Sequence, residues 1–141
     1  MINQGTDEWF ASRLGKVTAS RLNDALAMTK TGEGASRVNY RLELVTERLT
    51  SQKTESYTNS YMQWGTEQEP FAREAYEALK SEFVVETGFH DHPSIPMTGA
   101  SPDGLIGDDG LLEIKCPASS THVGYLADNK VPAKYKKQMI W

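Results

Sequence analysis

The apolar positions follow two different rhythms along the chain. Up to about residue 80 they recur at helical spacing; beyond it they fall in short runs broken by glycine and proline. Trp9, Phe10 and Leu14, with Arg13, mark one face of a first helix. Thr18 is placed to cap a second helix carrying Leu22, Ala25 and Leu26. Thr29 to Ser36 holds two glycines and no periodicity, so it reads as a loop. Val38, Leu42, Val45 and Leu49 then fall at i, i+4, i+7 and i+11, which predicts a third helix with these residues on its buried face. Ser51 to Ser60 is polar and reads as a connection. A fourth helix is expected from near Thr66. Glu67, Gln68 and Glu69 would fill its first turn, where Pro70 is tolerated, and Phe71, Ala72, Ala75 and Leu79 would form its apolar stripe.

After Ser81 the pattern changes. Phe83 to Glu86 is β-rich, and Gly88, Pro93 and Pro96 divide the next stretch into short pieces. Leu105-Ile106 and Leu111 to Cys116 read as paired strands joined by the turn Gly107-Asp108-Asp109-Gly110. Helical pattern returns around Thr121 to Leu126 and from Pro132 onward. Helices, a central hairpin and flanking helices predict an α/β or α+β class, organised as a single domain over residues 1–141.

Composition narrows the class. A hydrophobic fraction of 38% with mixed charge suits a globular chain, and no apolar run approaches the roughly 20 residues of a membrane span. The start, Met1-Ile2-Asn3-Gln4-Gly5, has neither a basic nor an apolar leader region, so no signal peptide is expected. The lone Cys116 cannot form an internal disulfide and points to a reducing cytoplasm. A net charge of −4 argues against indiscriminate coating of nucleic acid. It is compatible with an acidic centre beside local cationic patches that bind phosphate.

The candidate chemistry is concentrated in Ser101-Pro102-Asp103-Gly104 and Leu111-Leu112-Glu113-Ile114-Lys115-Cys116-Pro117. On a strand, Glu113 and Lys115 would project from one face, with Leu112, Ile114 and Cys116 on the other. A tight hairpin would bring Asp103 beside them. Asp103, Glu113 and the backbone carbonyl of Ile114 would make an oxygen-rich site for a hard cation such as Mg²⁺, with Mn²⁺ as a substitute. Such a cation polarises a phosphodiester and acidifies water, and Lys115 would stabilise developing charge. Each fragment has an ordinary reading too: Glu-x-Lys as a solvated strand face and Asp-Gly as a turn. It is their order and spacing together that favour a site.

Those blocks resemble the PD-(D/E)xK nuclease superfamily and, within it, the YqaJ-type viral recombinase or phage lambda exonuclease family. Gln4-Gly5-Thr6-Asp7-Glu8-Trp9 through Arg13-Leu14-Gly15, with Thr18-Ala19-Ser20, is similar to the family's first block. Trp64-Gly65-Thr66-Glu67-Gln68-Glu69 with Ala72-Arg73 is similar to the second, and the two segments around Asp103 and Glu113 to the catalytic blocks. Tyr135 and Gln138 match the start of the last motif, although Ile140 stands where a second glutamine often follows. The resemblance implies a restriction-endonuclease-like core with a central mixed sheet flanked by helices. Family members run beyond the position of Trp141, so a C-terminally truncated form of the family domain is expected.

In function, the resemblance implies a Mg²⁺-dependent 5′→3′ exonuclease that resects double-stranded DNA ends for phage-type recombination, in the cytoplasm of a bacterial host. It would work beside a single-strand annealing protein, often as a homotrimer. Asp103 and Glu113 would be metal ligands and Lys115 the catalytic lysine, with Glu69 supporting the metal or its water. Arg13, Ser20 and Ser101 would hold a terminal 5′-phosphate, and Gln138 is an additional candidate. For Arg13 and Ser20 there is also a physical case: a forked guanidinium suits phosphate, and Ser20 would stand near a helix N-terminus. The ordinary alternatives are an Arg13 stem packed on Trp9, a turn serine at 101, and a Glu69–Arg73 pair on one helix face.

Two other functions stay open: a structure-specific or restriction-like DNA endonuclease using the same site, and a truncated or degenerate nuclease fold that only binds DNA or a partner. Other features read as ordinary structure. His90-Asp91-His92 lacks further ligands at zinc-site spacing, and Trp64 reads as core. Lys130, Lys134, Lys136 and Lys137 suit either a solvated helix face or a grip on a DNA backbone.

Overall fold

A computed structural model describes residues 2–55 and 58–141. Ser56 and Tyr57, within the polar connection expected between the third and fourth helices, lie outside the described residues. In chain order the elements begin with α1 (Asp7–Arg13), β1 (Val17–Thr18), a 3-10 turn (Ala19–Arg21), α2 (Leu22–Ala25), β2 (Met28–Thr29), β3 (Gly32–Glu33) and α3 (Ala35–Thr50). They continue with α4 (Ser60–Lys80), β4 (Val84–Val85), β5 (His90–Asp91), β6 (Thr98–Ala100), β7 (Gly104–Ile106), β8 (Gly110–Leu112), α5 (Ser119–Asp128) and α6 (Ala133–Ile140). The class is α/β, as the pattern predicted. No helix among the described residues is long and apolar enough to cross a membrane.

The chain forms two compact units: Met1–Glu55 with Gly88–Ser101 and Ala133–Trp141, and Ser56–Thr87 with Pro102–Pro132. The first unit is built on a three-stranded mixed sheet in the order β1-β6-β5. β1 runs parallel to β6, with Val17 opposite Thr98 and Thr18 opposite Gly99, and β5 closes the sheet antiparallel. α1 starts where Thr6 Oγ1 accepts the Trp9 backbone N–H at 3.3 Å, a side-chain cap that its β-region backbone permits. The core gathers Trp9, Ala19, Leu22 and Tyr40.

α3 differs from its expected face. Leu42, Val45 and Leu49 are 59%, 45% and 82% exposed, and the buried residues are Tyr40 and Glu47, seven positions apart on another face. Hydrogen bonds explain the rotation. The Tyr40 hydroxyl accepts the Thr18 N–H at 3.1 Å, and Glu47 Oε2 accepts the Gly15 N–H at 2.8 Å while Oε1 accepts that of Thr54 at 3.2 Å. Arg48 Nε donates to the Gly15 carbonyl at 2.7 Å. The helix thus fixes the turn after α1 from both sides. Glu47→Ala would leave two backbone donors without acceptors, each costing about 1–3 kcal/mol if buried. A fall of several degrees in melting temperature is expected by calorimetry, and an unchanged value would remove Glu47 from this role. The expected loop from Thr29 to Ser36 is instead the end of a small hairpin, β2–β3, followed at once by α3.

The second unit holds an antiparallel sheet in the order β4-β7-β8. β7 and β8 pair Leu105 with Leu111 and Ile106 with Gly110, as the turn signal predicted, and Gly107 takes a positive φ of 56°. Gly104 has a different reason. A Cβ there would run into Val84 Cγ1 on the adjacent strand, so the Asp-Gly pair opens a strand instead of making a turn. α4 begins at Ser60, capped by Asn59 Oδ1 on the Met62 N–H at 2.9 Å, six residues before the expected start. Pro70 therefore lies inside the helix, where it cannot donate to the Thr66 carbonyl. Phe71 and Leu79, the expected apolar stripe, are 64% and 79% exposed. The half-covered face carries Gln68, Glu69, Ala72, Arg73, Tyr76 and Glu77.

Candidate active site

In the second unit the chain brings the acidic and basic candidates together through the hairpin. Strand β8 ends at Leu112, so Glu113 to Cys116 continue without ladder partners and the strict alternation expected there stops. Asp103 takes over the pairing. Its N–H donates to the Leu112 carbonyl at 3.1 Å, and its Oδ2 accepts the Ile114 N–H at 2.6 Å. One residue is thereby anchored by backbone and side chain on either side of Glu113. Lys115 Nζ donates to Glu113 Oε1 at 2.5 Å, with the Glu113 side chain only 9% exposed.

Glu69 enters from α4. Gly65, one turn earlier, faces the Cys116 carbonyl, and an added Cβ would stand 3.5 Å from it, so the helix runs close to the exit of the hairpin. Glu69 Oε1 accepts from Arg73 at 3.4 Å, and Arg73 also pairs with Glu86 on the strand side. This is the ordinary helix pair that the spacing suggested, with an added circumstance. Burial raises the Glu69 pKa above the usual carboxylate range, and the charges of Asp103 and Glu113 push it further, while Arg73 opposes them. Burial likewise raises Asp103, against the Ile114 N–H, Lys115 and Arg73, which lower it. Glu69 thus senses two other carboxylates. Their repulsion is offset by Arg73, a residue that spacing alone marked only as a partner of Glu69.

This donor set suits a hard cation. Asp103 and Glu113 are both half-buried, and with the Ile114 carbonyl between Glu113 and Lys115 in the chain they offer oxygen donors of the kind a divalent ion takes. Among the described residues, no group of three or more His, Cys, Asp and Glu side chains is gathered to hold an ion. Cys116 is half-buried, and burial followed by the charges of Glu69 and Asp103 raises its pKa, which disfavours the thiolate.

The first unit holds the other candidates. Arg13 ends α1 with its guanidinium carbon 4.0 Å from the centroid of the Trp9 ring. The packing alternative is therefore realised, but the head group is also half-buried. Burial lowers its pKa against Tyr40 and Glu47, and no carboxylate among the described residues bonds it directly. Ser101 Oγ accepts the Trp9 indole N–H at 2.9 Å. Ser20 and Ser101 each stand two residues beyond the last paired positions of neighbouring parallel strands, Thr18 and Gly99. Both serines thus leave the same end of β1 and β6. The case made for Ser20 from a helix N-terminus changes: it lies in a three-residue 3-10 turn before a four-residue helix, too short for an appreciable axial dipole. Its hydroxyl is exposed and 3.3 Å from Thr18 Oγ1. Gln138 is half-buried on α6, which packs against the turn bearing Ser20.

The remaining features separate clearly. His92 Nδ1 accepts the N–H groups of Ser94 and Ile95 at 3.2 and 3.1 Å, and Asp91 pairs with Lys16, so this segment shapes a turn. Trp64 is 46% exposed and is not core. Lys130, Lys134, Lys136 and Lys137 are exposed, with Lys134 resting over Tyr135. Trp9 and Tyr40 escaped the functional reading because an aromatic at helical spacing carries only a packing signal; their polar partners are distant in sequence.

The chain matches the model of the YqaJ-like viral recombinase domain over residues 8–141. No curated protein matches it. A crystal structure of LHK-Exo in complex with dAMP superposes with a TM-score of 0.86 at 51% identity, covering 95% of this chain and 65% of that one. A crystal structure of an alkaline exonuclease (LHK-Exo) from Laribacter hongkongensis gives 0.84 at 52% identity, covering 94% and 64%. The chain thus spans somewhat less than two thirds of these structural relatives.

Proposed function

The chain belongs to the YqaJ-like viral recombinase family, and on that premise we propose that it is the core of a Mg²⁺-dependent exodeoxyribonuclease that degrades double-stranded DNA from its 5′ ends. The observation that carries this reading is the hairpin that holds Asp103, Glu113 and Lys115 together, with Glu69 beside them. The exonuclease identity of the structural relative, and the dAMP in one of its crystals, support DNA as the substrate and a mononucleotide as the product. The family region runs unbroken across both compact units, which supports reading them as one nuclease domain. An annealing protein, a homotrimer and a bacterial cytoplasmic setting belong to the same proposal.

Asp103, Glu113 and the Ile114 carbonyl would hold Mg²⁺, or Mn²⁺ in its place. When bound, the ion supplies Lewis acidity at the phosphate and lowers the pKa of its water. Around it, Asp103 is fixed by the Ile114 N–H and needs no reorganisation. Lys115, released from Glu113, would place its ammonium against charge developing on the scissile phosphate. Glu69, held by Arg73, would orient the attacking water. Arg13, Ser20 and Ser101 would receive the terminal 5′-phosphate, and Gln138 would support that pocket from α6.

The direct test incubates linear and closed-circular duplexes with Mg²⁺ and with EDTA and follows nucleotide release. Release from linear DNA with Mg²⁺ alone is expected. Turnover in EDTA would overturn the metal role, and rapid cutting of the circle would replace the exonuclease with an endonuclease.

A further inference from the structure

We infer that Trp9 is a positioning residue that sets the geometry of the phosphate pocket; this rests on the reading of Arg13 and Ser101 just given. One indole meets both residues by two different means. Its face lies under the Arg13 guanidinium at 4.0 Å, and its edge donates an N–H to Ser101 Oγ at 2.9 Å. Arg13 is four residues away on the same helix, whereas Ser101 follows β6, ninety-two residues along the chain. The indole thereby ties the two residues together across that distance in sequence.

The ring is itself immobilised. Trp9 is 9% exposed and meets Phe10 edge-on at a centroid distance of 4.9 Å. Its backbone N–H is held by Thr6 Oγ1, and its carbonyl accepts the Ser12 hydroxyl at 2.7 Å. Two chemical consequences arise. An N–H donated to Ser101 Oγ occupies one oxygen lone pair and leaves the hydroxyl proton available to donate, the polarity an anion requires. A guanidinium lying on an indole face keeps its planar edge, which carries the N–H donors, free for an oxyanion. Trp9 thus leaves two donors unspent and holds them relative to each other. It need not touch the substrate.

Duplexes carrying either a 5′-phosphate or a 5′-hydroxyl end, labelled at the 3′ end, are titrated with protein in EDTA and read by fluorescence anisotropy, so that cleavage does not enter. Wild type is expected to favour the phosphate end by about tenfold. Trp9→Phe keeps a ring under Arg13 but has no N–H, and should cut the preference to roughly threefold with hydroxyl-end affinity unchanged. Trp9→Leu, lacking ring and donor, should abolish it. Trp9→Phe combined with Ser101→Ala should lose no more than Ser101→Ala alone, because one hydrogen bond joins them. A full preference in Trp9→Phe, or losses that multiply in the double variant, would overturn the role of Trp9 while leaving the pocket standing. A wild type blind to the phosphate would overturn the pocket and this inference together. Should Trp9→Phe fail to fold, Trp64→Phe with Trp141→Phe leaves Trp9 as the sole indole. Its emission should then respond to the phosphate end and not to the hydroxyl end; equal responses would overturn the inference.

Discussion

Asp103→Asn, Glu113→Ala and Lys115→Ala are each expected to lower nucleotide release from a linear duplex by at least about a thousandfold. The three act on different parts of the reaction, and a second measurement separates them. Asp103→Asn keeps an oxygen to accept the Ile114 N–H and so preserves the hairpin, but removes the charge that a cation needs. Glu113→Ala removes the second carboxylate and with it the ion pair to Lys115. Lys115→Ala leaves both carboxylates, so calorimetric titration with Mn²⁺ should show binding retained in this variant and lost or greatly weakened in the other two. None should unfold, because the removed groups are polar, both carboxylates repel Glu69, and none contributes apolar packing. Wild-type turnover in any folded variant would remove that residue from the mechanism, and loss of Mn²⁺ binding in Lys115→Ala would show the lysine to be structural.

Arg13→Ala should erase any advantage of 5′-phosphorylated over 5′-hydroxyl ends and raise KM on the former by about ten- to a hundredfold, the range for a lost charge-assisted hydrogen-bond pair. The guanidinium is half-buried, stacked on Trp9 and not bonded to a carboxylate among the described residues. A cation desolvated without a direct counter-ion is costly unless an anion completes it. Rates on both ends are compared at one salt concentration, because every phosphate contact is salt-sensitive. A variant that keeps the preference would return Arg13 to a purely packing role. Mn²⁺ affinity should not change, since Arg13 is not among the residues proposed to hold the ion.

The placement of the candidate residues was legible because it is local. Asp103, the Gly107-Asp108-Asp109-Gly110 turn and Glu113-Ile114-Lys115 lie within thirteen residues, and a hairpin has few ways to pair them. Even so, the expected alternation placed Glu113 and Lys115 on a strand. In the structure the strand has already ended, and Asp103 substitutes for its ladder. The fold class and the six α-helices among the described residues were also visible as periodicity, though Thr18 makes no side-chain cap, α2 starts only at Leu22, and α4 begins earlier than Pro70 suggested. A proline forbids one hydrogen bond, not a helix, and Asn59 offers the better cap.

What the sequence determined by itself is therefore the set of short-range features: which segments coil, where the hairpin turns, and which charged residues accompany it. Tertiary structure decided which side of each helix is covered. The stripes Val38-Leu42-Val45-Leu49 and Phe71-Ala72-Ala75-Leu79 predicted the helices correctly, but only Val38 and Ala72 are half-covered, and Leu42, Val45, Leu49, Phe71 and Leu79 are exposed. α3 instead buries Tyr40 and Glu47, and α4 half-covers Glu69 and Arg73, because each of these polar groups finds partners: Tyr40 and Glu47 on backbone N–H groups, Glu69 and Arg73 on each other and on Glu86. Periodicity reports only that a helix has an apolar side. It contains no term for hydrogen bonds to residues far along the chain, and those bonds make burial of a polar face affordable. Trp9 belongs to the same class: its own segment defines it as a core aromatic, and only its meeting with Ser101 ninety-two residues later gives it a polar task.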